Sequence, residues 1–457
     1  MADIAHLQKM RDRVINGETS SFEYRRERLD RLRKALLDHE LAIYEALHKD
    51  LRKSREEAWG SEIGLVLAEL NEAIGSLKKW MRPRKVRTNL LNWPSRSYIY
   101  PEPLGLVLIV APWNYPVQLL FNPLVAALAA GNLAVLKPSE FTPATEQVMR
   151  SIVEQAFMPD EVLYVTGDGA QVVPDLMQSF TFDHVFYTGS TTIGRIVYKM
   201  AADKLVPVTL ELGGKSPTVI ESDANIRVAA RRIAAMKFLN CGQTCVAPDY
   251  ILVHRSVRDS FVEEMKAAIR KFYTDDPRSS DGFGRIVNAR QFDRLIQYLN
   301  DGKLMHGGRH DRDDLFIEPT LLEAVSMDSS IMNEEIFGPL LPILSYDIFE
   351  EARAVIARHP NPLAFYVFTE DNTQAERWLR AVPAGGACVN NASWHLSNTH
   401  LPFGGRGASG LGAYHGKFGF DVFSHLKSVM HTPTWFDPAI KYPPLTGKLG
   451  LLKKMVR

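Results

Sequence analysis

V-T-L-E-L-G-G-K-S-P at 208–217 and N-C-G-Q-T-C-V-A-P at 240–248 bracket an Ala-rich run of helical character. Glu211 ends an apolar, β-rich run (Val206, Val208, Leu210) and meets a Gly-Gly turn. Cys245 lies past the helix in a short polar loop. A carboxylate and a thiol at the two ends of a strand–helix unit can share one cleft. A deprotonated thiol attacks carbonyl carbon, and a nearby carboxylate takes a proton from water. The bland alternative is a cysteine packed as a small apolar residue.

E-L-G-G-K at 211–215 and G-Q-T-C at 242–245 resemble the two signatures of the NAD(P)-dependent aldehyde dehydrogenases. The longer G-Q-T-C-V-A-P-D-Y at 242–250 resembles their class 3 branch, which includes fatty aldehyde dehydrogenases. Further similar blocks run from Gly105 to His415, most of the chain. The fold expected is α/β and aldehyde dehydrogenase-like. It would have a parallel-sheet cofactor domain (1–82 and 102–210), an α/β catalytic domain (211–413) and a small oligomerisation arm with the C-terminal tail (83–101 and 414–457).

Composition agrees with several domains. The 457 residues are too many for one hydrophobic core. A net charge of +1 gives no global basic field for nucleic acid. Three cysteines without a C-x-x-C pair make neither a disulfide framework nor a zinc signature, so no metal is expected. They suit a reducing compartment, and the cytoplasm is the expected location. Asp3, Lys9, Arg11, Asp12 and Arg13 interrupt any signal-peptide core. Val117–Leu136 imitates a membrane span, but Asn122, Pro123, Gly131 and Asn132 break it. A buried helix turning into a buried strand is the better reading.

Leu29, Leu32, Leu36 and Leu47 mark amphipathic helices in the first hundred residues. The charge run Arg25–Lys34 reads as a solvated face. After Pro83 the chain resembles an extended arm (Tyr98, Ile99, Tyr100). In the resembling family such an arm crosses between subunits, which implies a homodimer. From Leu104 onward continuous apolar strands follow: 104–111, 132–136, 162–165, 185–187, 206–210 and 218–220. Such strands, separated by helices, argue for a parallel sheet covered on both faces. Ligands bind such sheets beyond the C-terminal strand ends.

The loops at those ends carry the candidate site. P-W-N-Y-P at 112–116 offers Asn114, an amide donor that can polarise a carbonyl. An asparagine in a Pro-bounded turn is the simpler account without the resemblance. The resemblance implies an oxyanion hole at Asn114 and places Trp113 beside the cofactor. For K-P-S-E at 137–140 the resemblance implies that Lys137 binds the adenosine ribose with Glu140 close by, where the residues alone read as a solvated Lys–Glu turn. Two glycine loops compete for the pyrophosphate. Gly167-Asp-Gly169 lacks a third glycine and reads as a turn. Gly189-Ser190-Thr191-Thr192-Ile193-Gly194 opens a helical run whose free N–H groups can hold phosphate, and the family pattern selects it. Leu212, Glu335 and Phe337 complete the implied cofactor set, the last two from N-E-E-I-F-G-P at 333–339.

The reaction implied is oxidation of an aldehyde to its carboxylate with NAD or NADP. Cys245 would be the nucleophile, with Asn114 and the Cys245 N–H as oxyanion donors. Glu211 would be the base that hydrolyses the thioester. Class 3 likeness implies medium- or long-chain aliphatic or aromatic aldehydes. Two other classes remain: a CoA-acylating dehydrogenase, against which Glu211 argues, and a non-catalytic protein on the same scaffold, against which Cys245, Glu211 and Asn114 together argue. Cys388 reads as core. Trp394 and His395 read equally as mouth or as packing. For the tail Lys448–Arg457, too short and charged to span a bilayer, a peripheral membrane anchor and a docked or exposed helix both stay open.

Overall fold

The computed structural model describes residues 3–456. Its first sheet has six strands in the order Gly410–Leu411, Val208–Glu211, His184–Thr188, Leu106–Val110, Leu133–Lys137, Val162–Tyr164. All neighbours pair in parallel except the short Gly410–Leu411 edge. The register sets Thr188 opposite Glu211 and Val110 opposite Lys137. Site residues from distant loops therefore meet along one C-terminal edge. The strands Leu106–Val110 and Leu133–Lys137 are buried at every position, which is why they read as unbroken apolar runs.

A second, seven-stranded sheet runs Lys303–His306, Thr320–Glu323, Leu340–Tyr346, Tyr250–His254, Pro217–Ile220, Ala364–Phe368, Gly386–Val389. Only the Lys303–His306 edge is antiparallel. The strand at 217–220 thus leaves the first sheet, although its sequence continues the first sheet's grammar. Burial on both faces dictates an apolar strand but not its neighbours. As a result Glu211 and Cys245 do not end one strand–helix unit: a strand of the second sheet and the helix Ile226–Phe238 lie between them. A third, antiparallel sheet joins Arg84–Val86, Arg96–Pro103 and Ser424–His431.

The span-like window resolves into the helix Pro116–Ala130, wholly buried, and the strand Leu133–Lys137. Gly131 turns the chain between them at φ 92°, and a Cβ there would lie 2.5 Å from the Arg25 guanidinium. That contact corrects the reading of Arg25–Lys34 as a solvated face. Arg25 is buried, donating to Thr19 O and to Ala129 O at the helix end. Arg28 is buried as well, paired with Glu161. Cys388 is half-buried on the outermost strand of the second sheet, not in the core, with His395 Nδ1 3.4 Å from its sulfur.

The tail forms the helix Leu449–Val456, which lies against the turn Leu90–Asn92; Arg457 is outside the described residues. Among the described residues no helix is long and apolar enough to cross a membrane.

Candidate active site

Glu211 stands at the last position of its strand, where Gly189 N donates to its carbonyl at 3.0 Å. Its side chain is buried, and neither carboxylate oxygen has a hydrogen-bond partner. Burial pushes its pKa well above the usual carboxylate value. Cys245 follows the tight turn Leu239–Gly242, where Asn240, Cys241 and Gly242 all have positive φ. Gly242 is obligatory there, because a Cβ would lie 2.3 Å from Gly338 O. Both groups line one cavity enclosing about 930 Å³ of non-atom space, its open mouth included. Burial is the main cause that raises the Cys245 thiol to about 12, followed by the charges of Glu335 and Glu211. The resting thiol is therefore protonated. Thr188 and Tyr414, with unbonded hydroxyls, face the same cavity.

Asn114 stands behind this wall. Its Nδ2 donates to Gln243 O at 3.1 Å, beside the thiol loop, and a primary amide keeps a second N–H for another acceptor. Its neighbour Tyr115 does line the cavity and bonds Thr244 Oγ1 at 2.6 Å. Trp394 reaches the cavity too. His395 does not; it stacks on Phe403 instead.

The expected cofactor residues lie along the strand ends next to this cavity. Lys137 Nζ donates to Pro138 O at 2.6 Å and to Glu140 Oε2 at 3.1 Å. Gly169 N donates to Glu140 Oε1 at 3.1 Å, so the Gly167–Gly169 turn supports Glu140. Ser190 Oγ caps the helix Thr191–Ala202 by accepting from Ile193 N, at the helix start where a phosphate would bind. Gly189 and Gly194 are glycine for contact reasons: a Cβ would lie 2.3 Å from the Tyr187 hydroxyl and 2.5 Å from Leu212 respectively. Leu212 also faces the cavity, so it is the wall shared with the phosphate loop. Trp113 meets Phe337 edge-on at 5.3 Å. Glu335 crosses directly over Gly213, where burial raises its carboxyl to about 8.

The match to known proteins is decisive. Residues 7–429 fit the Aldehyde dehydrogenase family. The chain belongs to the aldehyde dehydrogenase family. It is 45% identical to the 4,4'-diaponeurosporen-aldehyde dehydrogenase of Staphylococcus aureus, over 95% of each chain. It is 44% identical to aldehyde dehydrogenase family 3 member H1 of Arabidopsis thaliana, over 98% of this chain and 94% of that one. The solved substrate-bound state of Staphylococcus aureus AldH superposes with TM-score 0.97 at 43% identity, covering 100% of both chains. The protein is thus an NAD(P)-dependent dehydrogenase that oxidises aldehydes.

Several residues that shape this dehydrogenase's site escaped the sequence reading. Lys215 Nζ is buried and donates to Asp249 Oδ2 at 2.5 Å, Ile331 O at 2.7 Å and Glu334 O at 2.8 Å. Asp249 Oδ1 in turn accepts from Ile336 N at 3.0 Å. One ion pair therefore locks E-L-G-G-K, the thiol block and the Glu335 loop together. Both residues stood inside quoted motifs, and a charge set in an otherwise apolar motif was the available signal. Gln243 does the same locally, bonding Asn240 O, Arg285 O and Val287 N. His415 lines the cavity behind Phe403, with Nδ1 3.7 Å from Glu69.

Proposed function

We propose that Cys245 and Glu211 are the nucleophile and the hydrolytic base, and that the substrate is a medium- or long-chain aliphatic or an aromatic aldehyde. The observation that carries this reading is one cavity, walled mainly by apolar side chains such as Leu65, Leu119, Met236, Leu363 and Phe403, with the thiol and an unbonded carboxyl as its reactive groups. Apolar walls favour apolar substrate tails at roughly 25 cal/mol per Å² removed from water. The Staphylococcus aureus relative, named for 4,4'-diaponeurosporen-aldehyde, supports the same class.

The Cys245 thiol gives its proton to solvent at the open mouth of the cavity, and the resulting thiolate adds to the aldehyde carbon and gives a tetrahedral oxyanion. The free N–H of Asn114 and the Cys245 backbone N–H hold that charge, a task worth about 3 kcal/mol per donor. Bound NAD or NADP supplies the hydride acceptor. Ser190 and the N–H groups of Thr191 and Thr192 would hold its phosphates, with Ile193 and Gly194 in the same first turn of the helix. Lys137 and Glu140 take the adenosine ribose, and Trp113, Leu212, Glu335 and Phe337 flank the nicotinamide end. The close packing at Gly189 and Gly194 and the helix start beyond Ser190 fit such a group. The oxidised carbon remains on Cys245 as a thioester. Glu211 takes a proton from water, which then releases the carboxylate.

The proposed domains divide the chain at 82, 102, 211 and 413, although Gly410–Leu411 pairs in the first sheet and the strand Arg96–Pro103 runs across the boundary at 102. The antiparallel ribbon of Arg96–Pro103 and Ser424–His431 is the proposed subunit contact of a homodimer. The three unpaired thiols support a cytoplasmic site of action. The tail helix, seated on Leu90–Asn92, is the part available for peripheral membrane contact.

The test is NAD(P)H production from short-chain, long-chain and aromatic aldehydes, with each cofactor, with and without CoA. Long-chain and aromatic substrates should show the highest kcat/KM. A strict requirement for CoA, or a preference for short aldehydes, overturns the reading.

A further inference from the structure

Lys53 is a charged residue with no place in the chemistry above, yet its side chain is fully buried, as is that of its partner Glu62 at 2.7 Å. A buried ion pair is a poor device for stability, since apolar replacements of similar volume are often neutral or better. It is a good device for fixing geometry, because each charge demands several aligned partners.

The partners of this pair all belong to the Asn114 loop and the helix it opens, and a neighbouring carboxylate, Glu57, reaches the loop before Cys245. Lys53 Nζ donates to Asn114 O at 2.9 Å and sits 4.0 Å from the centre of the Tyr115 ring. Glu62 Oε2 accepts from Val117 N at 3.0 Å and Gln118 N at 2.9 Å, the start of the helix that follows Asn114. On the other side, Glu57 Oε1 accepts from Asn240 N at 2.8 Å. Asn240 Nδ2 reaches back to Asn114 O at 2.8 Å. Asn240 and Cys241 hold φ values of 49° and 54°, a costly conformation that persists only when neighbours enforce it.

The segment that carries these three charges contains a π-helical turn at Trp59–Ile63. Such turns insert one extra residue into a helix and recur at functional sites. Here the turn gives Gly60 and Ser61 to the cavity while Glu57 and Glu62 both point to the loops behind it.

The geometry points to Lys53, acting with Glu57 and Glu62, as the positioning residue that sets the separation between the Asn114 amide and the Cys245 backbone N–H. The inference rests on the oxyanion roles proposed above. Lys53 touches no reacting atom. It clamps one donor loop through Asn114 O, and Glu57 clamps the other through Asn240 N.

The experiment is a mutant cycle. Lys53→Met combined with Glu62→Gln removes both charges at once, and the glutamine still accepts from Val117 N and Gln118 N. This variant, Asn114→Ala and the triple combination are compared with the parent in kcat/KM, NAD dissociation constant and Tm. Asn114→Ala should lose about 10²–10³-fold in kcat/KM, the usual cost of one oxyanion donor. The charge-pair variant should lose about 10²-fold, the scale of a displacement of about 1 Å, with NAD binding unchanged and the fold intact. The triple variant should be no slower than Asn114→Ala, because Lys53 acts through that residue. Multiplying losses in the triple variant, or a folded charge-pair variant with near-parental kcat/KM, overturns the proposal. An Asn114→Ala enzyme at full rate sinks the oxyanion reading itself. If the charge-pair variant does not fold, Glu57→Ala carries the test: it leaves the ion pair intact and should cost about 10-fold in kcat/KM, and a parental rate refutes the clamp.

Discussion

The cavity and the cofactor crevice share the wall at Leu212 but treat their polar groups in opposite ways. In the cavity, Glu211, Thr188 and Tyr414 keep buried oxygens without partners. In the crevice, Lys137, Glu140 and Gly169 already bond one another. An unpartnered buried polar group costs about 1–3 kcal/mol, so the cavity holds its reactive groups in an unfavourable state that substrate and water can relieve. The crevice groups only bind. In the proposed role they would exchange one partner for another when a ribose arrives, and each would be worth correspondingly less. Changes in the cavity should therefore be severe and step-specific, while changes in the crevice should be graded.

The severest test of that contrast is the thiol. Cys245→Ala should abolish aldehyde oxidation with NAD binding still measurable. Cys241→Ala and Cys388→Ala should fold and stay active, since neither sulfur lines the cavity. Near-normal turnover by an intact Cys245→Ala protein breaks the covalent mechanism.

Glu211→Gln comes next. It keeps the shape but removes the base, so steady-state turnover should fall by about 10²-fold or more. Rapid mixing should show a burst of NAD(P)H near one per active subunit, with an acyl mass on the Cys245 peptide after acid quench. Loss of the burst would reassign Glu211 to activation of the thiol. In the proposed role the charged carboxylate is the base, so parental turnover should climb with pH as Glu211 ionises, and the variant should lose that climb.

The crevice should respond more mildly. In the proposed cofactor site Glu140 lies beside the adenosine ribose, where its charge would disfavour the 2′-phosphate of NADP. Both cofactors should be used, with NAD preferred. Glu140→Gln keeps the acceptor for Gly169 N and removes the repulsion. NADP affinity should improve about fivefold, the ~1 kcal/mol scale of a partly exposed charge pair, with little change for NAD. Equal shifts in the two dissociation constants would remove Glu140 from cofactor choice.

The smallest effect is on stability. The folded Glu211 pKa is raised above the unfolded one by burial. Its contribution to stability is thus fully present below the unfolded value of 4.5 and is lost as pH rises through the folded value. Glu211→Gln is free of that loss. Its Tm relative to the parent should rise as pH climbs above 4.5 and through the raised folded value, as read by calorimetry. A constant difference would mean the carboxyl is not desolvated.

Strands such as 106–110 and 133–137 were legible because a doubly covered strand must be apolar throughout, and the chemistry was legible because Cys245 and Glu211 sit in dense motifs. The hidden features depend on partners remote in sequence. Arg25 looks solvated until the helix end at Ala129 comes to meet it, and Arg28 until Glu161 does. The change of sheet at 217–220 leaves no local mark, because apolar alternation encodes burial and not neighbours. Trp394 and His395 are adjacent in sequence yet part company at a turn where Ser393 has positive φ. The Lys53–Glu62 pair spans nine positions, too far for one helical face to announce it.

The strand that presents Glu211 is completed on its outer side by Gly410–Leu411, and Ser409 O accepts from Leu212 N at 3.0 Å. These residues follow Glu211 by roughly 200 positions, so a ribosome adding about 5–20 residues per second delivers them about 10–40 s after the base itself. For that interval the nascent chain holds its thiol and its carboxylate without the strand that seats the carboxylate. A chain released before position 409 carries both motifs but lacks the edge strand that pairs with Glu211 and the carbonyl that accepts from Leu212 N.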